Sequence, residues 1–110
     1  MRAALADIRE LTAAGRETFE TDRSVQQAVA YNLAVLGEAA RALSPELRER
    51  HPQMPWRDVI AQRNLVVHEY HRLDLESLWA TATVDVPQLD DQLADIERAE
   101  RDPSPPDLKP

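Results

Sequence analysis

The sequence predicts an all-α protein, an antiparallel bundle of four main helices plus one short one. Three observations carry this. The 110 residues include only two glycines, Gly15 and Gly37, among many Ala, Leu, Glu and Arg, a composition that favours helices and is poor in hairpin turns. Apolar residues recur at three- and four-residue steps. Residues that start and stop helices fall at the edges of those stretches. Hydrophobic residues make up 43% of the chain, enough for a core and too many for a disordered chain. The length suits one domain.

Taken in order, residues 3–14 read as a first helix, with Leu5, Ile8 and Leu11 near one face and Gly15 as its stop. Residues 16–22 are polar apart from Phe19 and read as a loop. Asp22 or Ser24 caps a long second helix that reaches Leu43, along a stripe of Val25, Val29, Asn32 or Leu33, Leu36, Ala40 and Leu43. The small residues Ala28, Gly37, Ala39 and Ala40 allow another helix to come close to it. Asn32 fits either a structural hydrogen bond or the lining of a cleft. Ser44 and Pro45, as cap and first helical residue, start a short helix that ends near Arg50. Pro55 opens the next helix, with Trp56 as a core anchor and Val59 and Ile60 continuing its apolar face. A break near Leu73 is followed by a new cap at Asp74 and a stripe of Leu75, Leu78, Trp79 and Ala82. Pro87 predicts a kink or a fresh start, because proline in a helix interior costs about 3 kcal/mol. Leu89, Leu93 and Ile96 carry the last helix to Arg101. Residues 1–101 thus form one helical domain, and the proline-rich residues 102–110 are expected to be a disordered tail.

Composition also excludes several kinds of chemistry. The chain has no cysteine, which removes disulfides, thiolate zinc sites and cysteine nucleophiles and fits a reducing compartment. No apolar run approaches about 18 residues, so no membrane span is expected. The early charges of the N-terminus do not suit a signal peptide, and the expected location is the cytoplasm. Asp and Glu number 20 against 13 Lys and Arg, a formal net charge of -7. Loose, charge-driven binding of nucleic acid needs a basic footprint. Any RNA contact must therefore come from a few arginines in a cleft, or from a dimer that brings two sets together.

Within this frame one stretch concentrates reactive side chains. Arg63, Asn64, His68 and Tyr70 fall within eight residues around Leu65, Val66 and Val67, in the spacing R-x4-H-x-Y. A guanidinium is a permanent cation with a planar donor fork suited to phosphate oxygens. A histidine can take or give a proton near neutral pH. RNA carries its own nucleophile, the 2′-hydroxyl, so a protein that deprotonates it and stabilises the phosphorane needs no metal and no cofactor. On a continuous helix at about 100° per residue, Arg63 and His68 lie roughly 140° apart and do not share a face. Asn64 and His68 do, which suggests a hydrogen bond orienting the imidazole. Two copies of the motif facing each other across a two-fold axis would bring the two faces together.

The same residues carry a resemblance. The run from Arg63 to Tyr70 resembles the R-x4-H-x-Y signature of the HepT-like toxins, a branch of the HEPN ribonucleases. Asn32 to Ala40, Leu43 to Arg48, Pro55 to Arg57 and Leu73 to Trp79 resemble that family's segments in its order, so the likeness covers roughly residues 24–97. It implies an all-helical homodimer with its active sites at the dimer interface, and metal-independent cleavage of RNA. It makes Arg63 and His68 the catalytic pair and Asn64 their support. It makes Tyr70 the tyrosine to which a partner antitoxin, a small MNT-type nucleotidyltransferase, transfers AMP to silence the toxin. The first helix looks shorter than usual for the family. His71 stands where relatives often carry an aromatic residue. Glu69 reads as a solvated helix residue.

Two other readings compete. A bundle of this type could keep the motif to bind a nucleotide or a partner protein without turnover. A metal enzyme could use His68 and His71, three apart, with Glu69. The paired Glu-x-x-His motifs of di-iron bundles and the His-Glu-x-x-His motif are both missing, which disfavours it.

Overall fold

Helices dominate because apolar residues return on one side of the longer segments, and those sides are buried against one another. The computed structural model describes residues 1–69, 72 and 74–101, and among these every regular element is helical. Helix α1 (Arg2–Thr12) buries Ala4, Leu5 and Ile8. Its side chains pack on α3 (Arg23–Ala42) and α7 (Val86–Arg101). Helix α3 contributes Val29, Ala30, Leu33, Leu36 and Ala40 to the same core, and α7 contributes Val86, Leu89, Leu93 and Ile96. The expected tail, residues 102–110, lies outside the described residues, as do Tyr70, His71 and Leu73.

The segment expected to be a loop is instead a helix. Helix α1 ends at Thr12, and Gly15 takes φ 102°, a value that favours glycine. A one-and-a-half-turn helix, α2 (Arg16–Thr21), follows at once. A single apolar residue in that stretch shows no periodicity, so pattern alone misses it. Burial of that one residue holds it. Phe19 is fully buried, its ring centroid 5.2 Å from that of Trp79. Gln26 Nε2 donates to the Phe19 and Glu20 carbonyls at 2.9 and 3.1 Å, satisfying acceptors that the short helix leaves open.

The predicted caps are present. Asp22, rather than Ser24, caps α3, its carboxylate accepting from the backbone N–H of Ser24 and Val25 at 2.9 and 3.3 Å. Ser44 Oγ accepts from Leu47 N–H at 3.1 Å to start α4 (Pro45–Arg50), with Pro45 in its first turn. Asp74 caps α6 (Leu75–Ala80) through Glu76 N–H at 3.0 Å. The Trp56 side chain, buried as expected, donates from Nε1 to the His51 carbonyl at 2.9 Å.

Near Pro87 the helix neither breaks nor restarts. Residues Thr81–Asp85 form a π-helical turn that joins α6 to α7 directly. Proline lacks an N–H and its ring crowds the carbonyl four residues back. A turn widened by one residue absorbs that crowding without ending the helix.

Helix α5 (Trp56–Glu69) carries the motif. It packs chiefly on α3, with Val59 and Val66 buried. Between α5 and α7 the bundle stays open as a cleft of about 360 Å³, floored by Leu33, Leu36, Val59 and Leu89.

Charged groups lace α1 to α7 and α4 to α7. Arg2 and Arg9 both reach Asp90, at 2.6 and 2.7 Å. Arg50 Nη2 donates to Glu100 Oε1 at 2.6 Å, and His51 Nε2 lies 2.8 Å from Glu100 Oε2. Arg50 first, then His51, holds the Glu100 carboxyl below the ordinary glutamate value of 4.5. A lowered value in the folded state means that the carboxylate stabilises the fold above the unfolded-state value. That stabilisation disappears as pH falls through the folded-state value. Thermal melts of wild type and Glu100→Gln should therefore differ by a constant margin in favour of wild type above about pH 6, and the margin should close below about pH 4.

Candidate active site

The site is built where α5 crosses α3 at closest range. A methyl group added at Gly37 would stand 2.8 Å from Arg63 Cβ and 2.9 Å from the Val59 carbonyl oxygen. Gly37 is therefore the residue that lets the two backbones approach, and Arg63 lies directly against it. The sequence reading of Gly37 as a close-approach residue holds.

The Arg63 side chain, one-third exposed, runs back along α3. Its Nε lies 2.7 Å from Glu38 Oε1, and its Nη1 donates to Asn64 Oδ1 at 3.1 Å. Arg63 and Glu38 share a shallow depression with Tyr31, Ala34 and Val35. Tyr31 and Val35 present 68% and 37% of their surface to solvent, and with Glu38 they stand at i, i+4 and i+7 on one helix face.

His68 is exposed on α5. It lines a second depression, with Asn64, Leu65, Gln62, Asp58 and Asp85. The structure thus brings Arg63 to Asn64, and Asn64 to the hollow of His68, while Arg63 and His68 line different hollows. The α-helix is continuous from Trp56 to Glu69, so the angular separation expected from the sequence persists. The hydrogen bond expected between Asn64 and His68 does not form among the described residues. Asn64 Oδ1 accepts from Arg63 Nη1 instead. Tyr70 and His71 lie outside the described residues, and of Glu69 only the backbone is described. Asn32 takes the structural alternative, its Nδ2 donating to the Ala28 carbonyl at 2.9 Å.

Glu38 is the residue that sequence reasoning missed. It is one of 20 acidic residues on an acidic chain, and nothing in its spacing ties it to Arg63. Its neighbour Gly37 was the available signal, since a glycine inside an alanine-rich helix marks where another element crosses.

The sequence matches the ribonuclease HepT-like family over residues 1–96. The chain belongs to the HepT-like ribonuclease family. Among its relatives is "Probable ribonuclease HepT" of Thermococcus cleftensis, 34% identical over 73 residues, covering 66% of each chain. A "Putative RNase" of Caldanaerobacter subterraneus subsp. tengcongensis is 31% identical over 85 residues, covering 77% of this chain and 76% of the relative. A "Putative RNase" of Methanocaldococcus jannaschii is 32% identical over 71 residues, covering 64% of this chain and 65% of the relative. No solved structure matches the chain. Membership of the HepT-like family agrees with the resemblance read from residues 24–97 and with the all-α fold.

The close crossing yields a test. Alanine is a better helix former than glycine by about 1 kcal/mol, so propensity alone predicts that Gly37→Ala stabilises α3. The contacts at 2.8 and 2.9 Å are with backbone and Cβ atoms that cannot swing aside, and overpacking of this kind costs about 1–3 kcal/mol. Gly37→Ala should therefore melt below wild type in a thermal scan followed by circular dichroism.

Proposed function

We propose that this HepT-like chain is the endoribonuclease toxin of a toxin–antitoxin pair, acting in the cytoplasm. It cleaves RNA through the substrate's own 2′-hydroxyl, without a metal or other cofactor. The observation that carries the reading is the guanidinium of Arg63, anchored by Glu38 and Asn64 on the helix that also presents His68. His68 takes the proton of the 2′-hydroxyl or delivers one to the 5′-oxygen of the leaving nucleotide. The 2′-oxygen attacks phosphorus, the bond from phosphorus to the 5′-oxygen breaks, and the products carry a 2′,3′-cyclic phosphate and a 5′-hydroxyl. Arg63 stabilises the charge on the phosphorane oxygens.

Arg63 and His68 line different hollows of one chain, and a homodimer answers this by bringing two motifs together. The exposed Tyr31 and Val35 beside Arg63 suit burial against a second copy. The pairing doubles the local positive charge on a chain of net charge -7. Tyr70 is the position at which an MNT-type nucleotidyltransferase antitoxin would attach AMP. The added bulk and negative charge would oppose phosphate binding.

Two measurements test this. Wild type carrying no AMP on Tyr70, as checked by intact mass, should cleave RNA in excess EDTA and leave 2′,3′-cyclic phosphate ends, while dimeric His68→Ala should not. Absence of cleavage by unmodified dimer on several RNA classes favours instead a bundle that binds a nucleotide or a partner without turnover. Val35→Glu, which places a charge on the exposed face of α3, should elute as a folded monomer in size-exclusion chromatography with light scattering and lose cleavage by more than about tenfold. A Val35→Glu variant that stays dimeric and active places the interface elsewhere.

A further inference from the structure

Two consecutive residues of α3 hold the two ends of Arg63. Gly37 fixes the root, because the helix backbone there stands so close that a methyl group would lie 2.8 Å from Arg63 Cβ. Glu38 meets the tip, with its Oε1 2.7 Å from Arg63 Nε. We infer that Glu38 is the positioning residue for Arg63, turning the guanidinium so that its outer edge faces the scissile phosphate. This rests on the reading of Arg63 as the phosphorane-stabilising group.

The donor arithmetic supports this. A guanidinium carries five N–H donors in a fixed plane. Nε lies 2.7 Å from Glu38 Oε1 as an ion pair without hydrogen-bond alignment, and one Nη1 hydrogen goes to Asn64 Oδ1. Among the described residues nothing takes the second Nη1 hydrogen or the two Nη2 hydrogens, a fork that can take two oxygens of one phosphate. An arginine side chain has many rotamers, and ordering it at the moment of reaction raises the barrier. An acceptor that orders it beforehand removes that term. Glu38 has the right exposure for this role. Its side chain is 49% exposed and that of Arg63 33% exposed, and ion pairs this open to water add little to stability. The pair's consequence is orientation. The negative charge of Glu38 also lies at the Nε edge, so an incoming phosphate is repelled from that edge and directed to the Nη edge.

The test compares Glu38→Ala and Glu38→Gln with wild type, all as the dimeric full chain without AMP on Tyr70. Glutamine keeps the length of the side chain and a polar end against the guanidinium, and alanine keeps neither. Glu38→Ala should lose about tenfold or more in kcat, with a smaller change in KM and an unchanged melting temperature. Glu38→Gln should recover most of that loss. The Arg63 Nε–H resonance, read in a proton–nitrogen correlation spectrum, should be distinct in wild type and Glu38→Gln, where the side chain is held in one orientation, and averaged with the other arginines in Glu38→Ala. A Glu38→Ala enzyme as fast as wild type, or faster, overturns the inference, the second outcome making Glu38 a competitor of the phosphate. In a wild type that cleaves no RNA, the reaction reading fails and the resonance alone decides. Loss of the Nε–H signal in Glu38→Ala upholds the positioning, and an identical signal in both proteins overturns it.

Discussion

The crossing of α3 and α5 at Gly37 is the constraint on which the rest of the molecule depends. Two helices whose backbones come this close cannot carry ordinary side chains at the contact. Glycine is needed on one of them, and the other must place the base of a long side chain over it. Arg63 fills that position. Its Cβ is buried in the crossing while its charged end runs out to the surface, an arrangement that long cationic side chains adopt readily. The same crossing brings Val59 and Val66 onto the core formed by Leu33, Leu36 and Ala40. It also places Glu38, one residue beyond Gly37, beside the guanidinium. Packing and the candidate site therefore share one contact, and a change to the packing is felt by the Arg63 guanidinium.

Charge is economical here. The chain is acidic as a whole, with a formal net charge of -7, and several of its arginines are spent on holding helices together. Arg2 and Arg9 tie α1 to α7 through Asp90, and Arg50 ties α4 to α7 through Glu100. Arg63 is also paired, but only along one edge. Long-range attraction of a polyanion is weak on such a surface. Recognition must then come from short-range geometry, which is the circumstance in which a fixed arginine fork counts for more than an unordered lysine.

Much of this was legible in the sequence. Asp22, Ser44 and Asp74 sit where a side-chain oxygen must precede a helix, and each caps one. Gly37 and the alanines around it announce a close approach, and Trp56 an anchor. What was not legible depends on distance rather than spacing. The helix α2 is held by one ring, Phe19 against Trp79, which are 60 residues apart in the chain, and a six-residue segment with a single apolar position has no period to read. The π-helical turn at Thr81–Asp85 keeps a helix running where Pro87 alone argues for a stop. Glu38 is invisible for the same reason as α2, since its partner lies on another helix. Helical periodicity places Asn64 beside His68, but its Oδ1 accepts from the neighbouring Arg63, a contact between adjacent residues that periodicity does not reveal.

Helical phase also sets the form of the candidate site. The helix from Trp56 to Glu69 is an uninterrupted α-helix, so no bulge or break rotates His68 toward Arg63. The only π-helical turn among the described residues lies in another part of the chain. Five residues on such a helix leave two side chains on different sides, and the two hollows, one against α3 and one against Asp58 and Asp85, follow from that. Nature could have reconciled them by shortening the spacing to four. The spacing of five has a different consequence. It gives one helix an arginine edge and a histidine edge, and in the proposed homodimer two such helices would each offer both edges to the seam between them. A spacing that separates the two side chains within one chain is the one that a site shared between two copies would need.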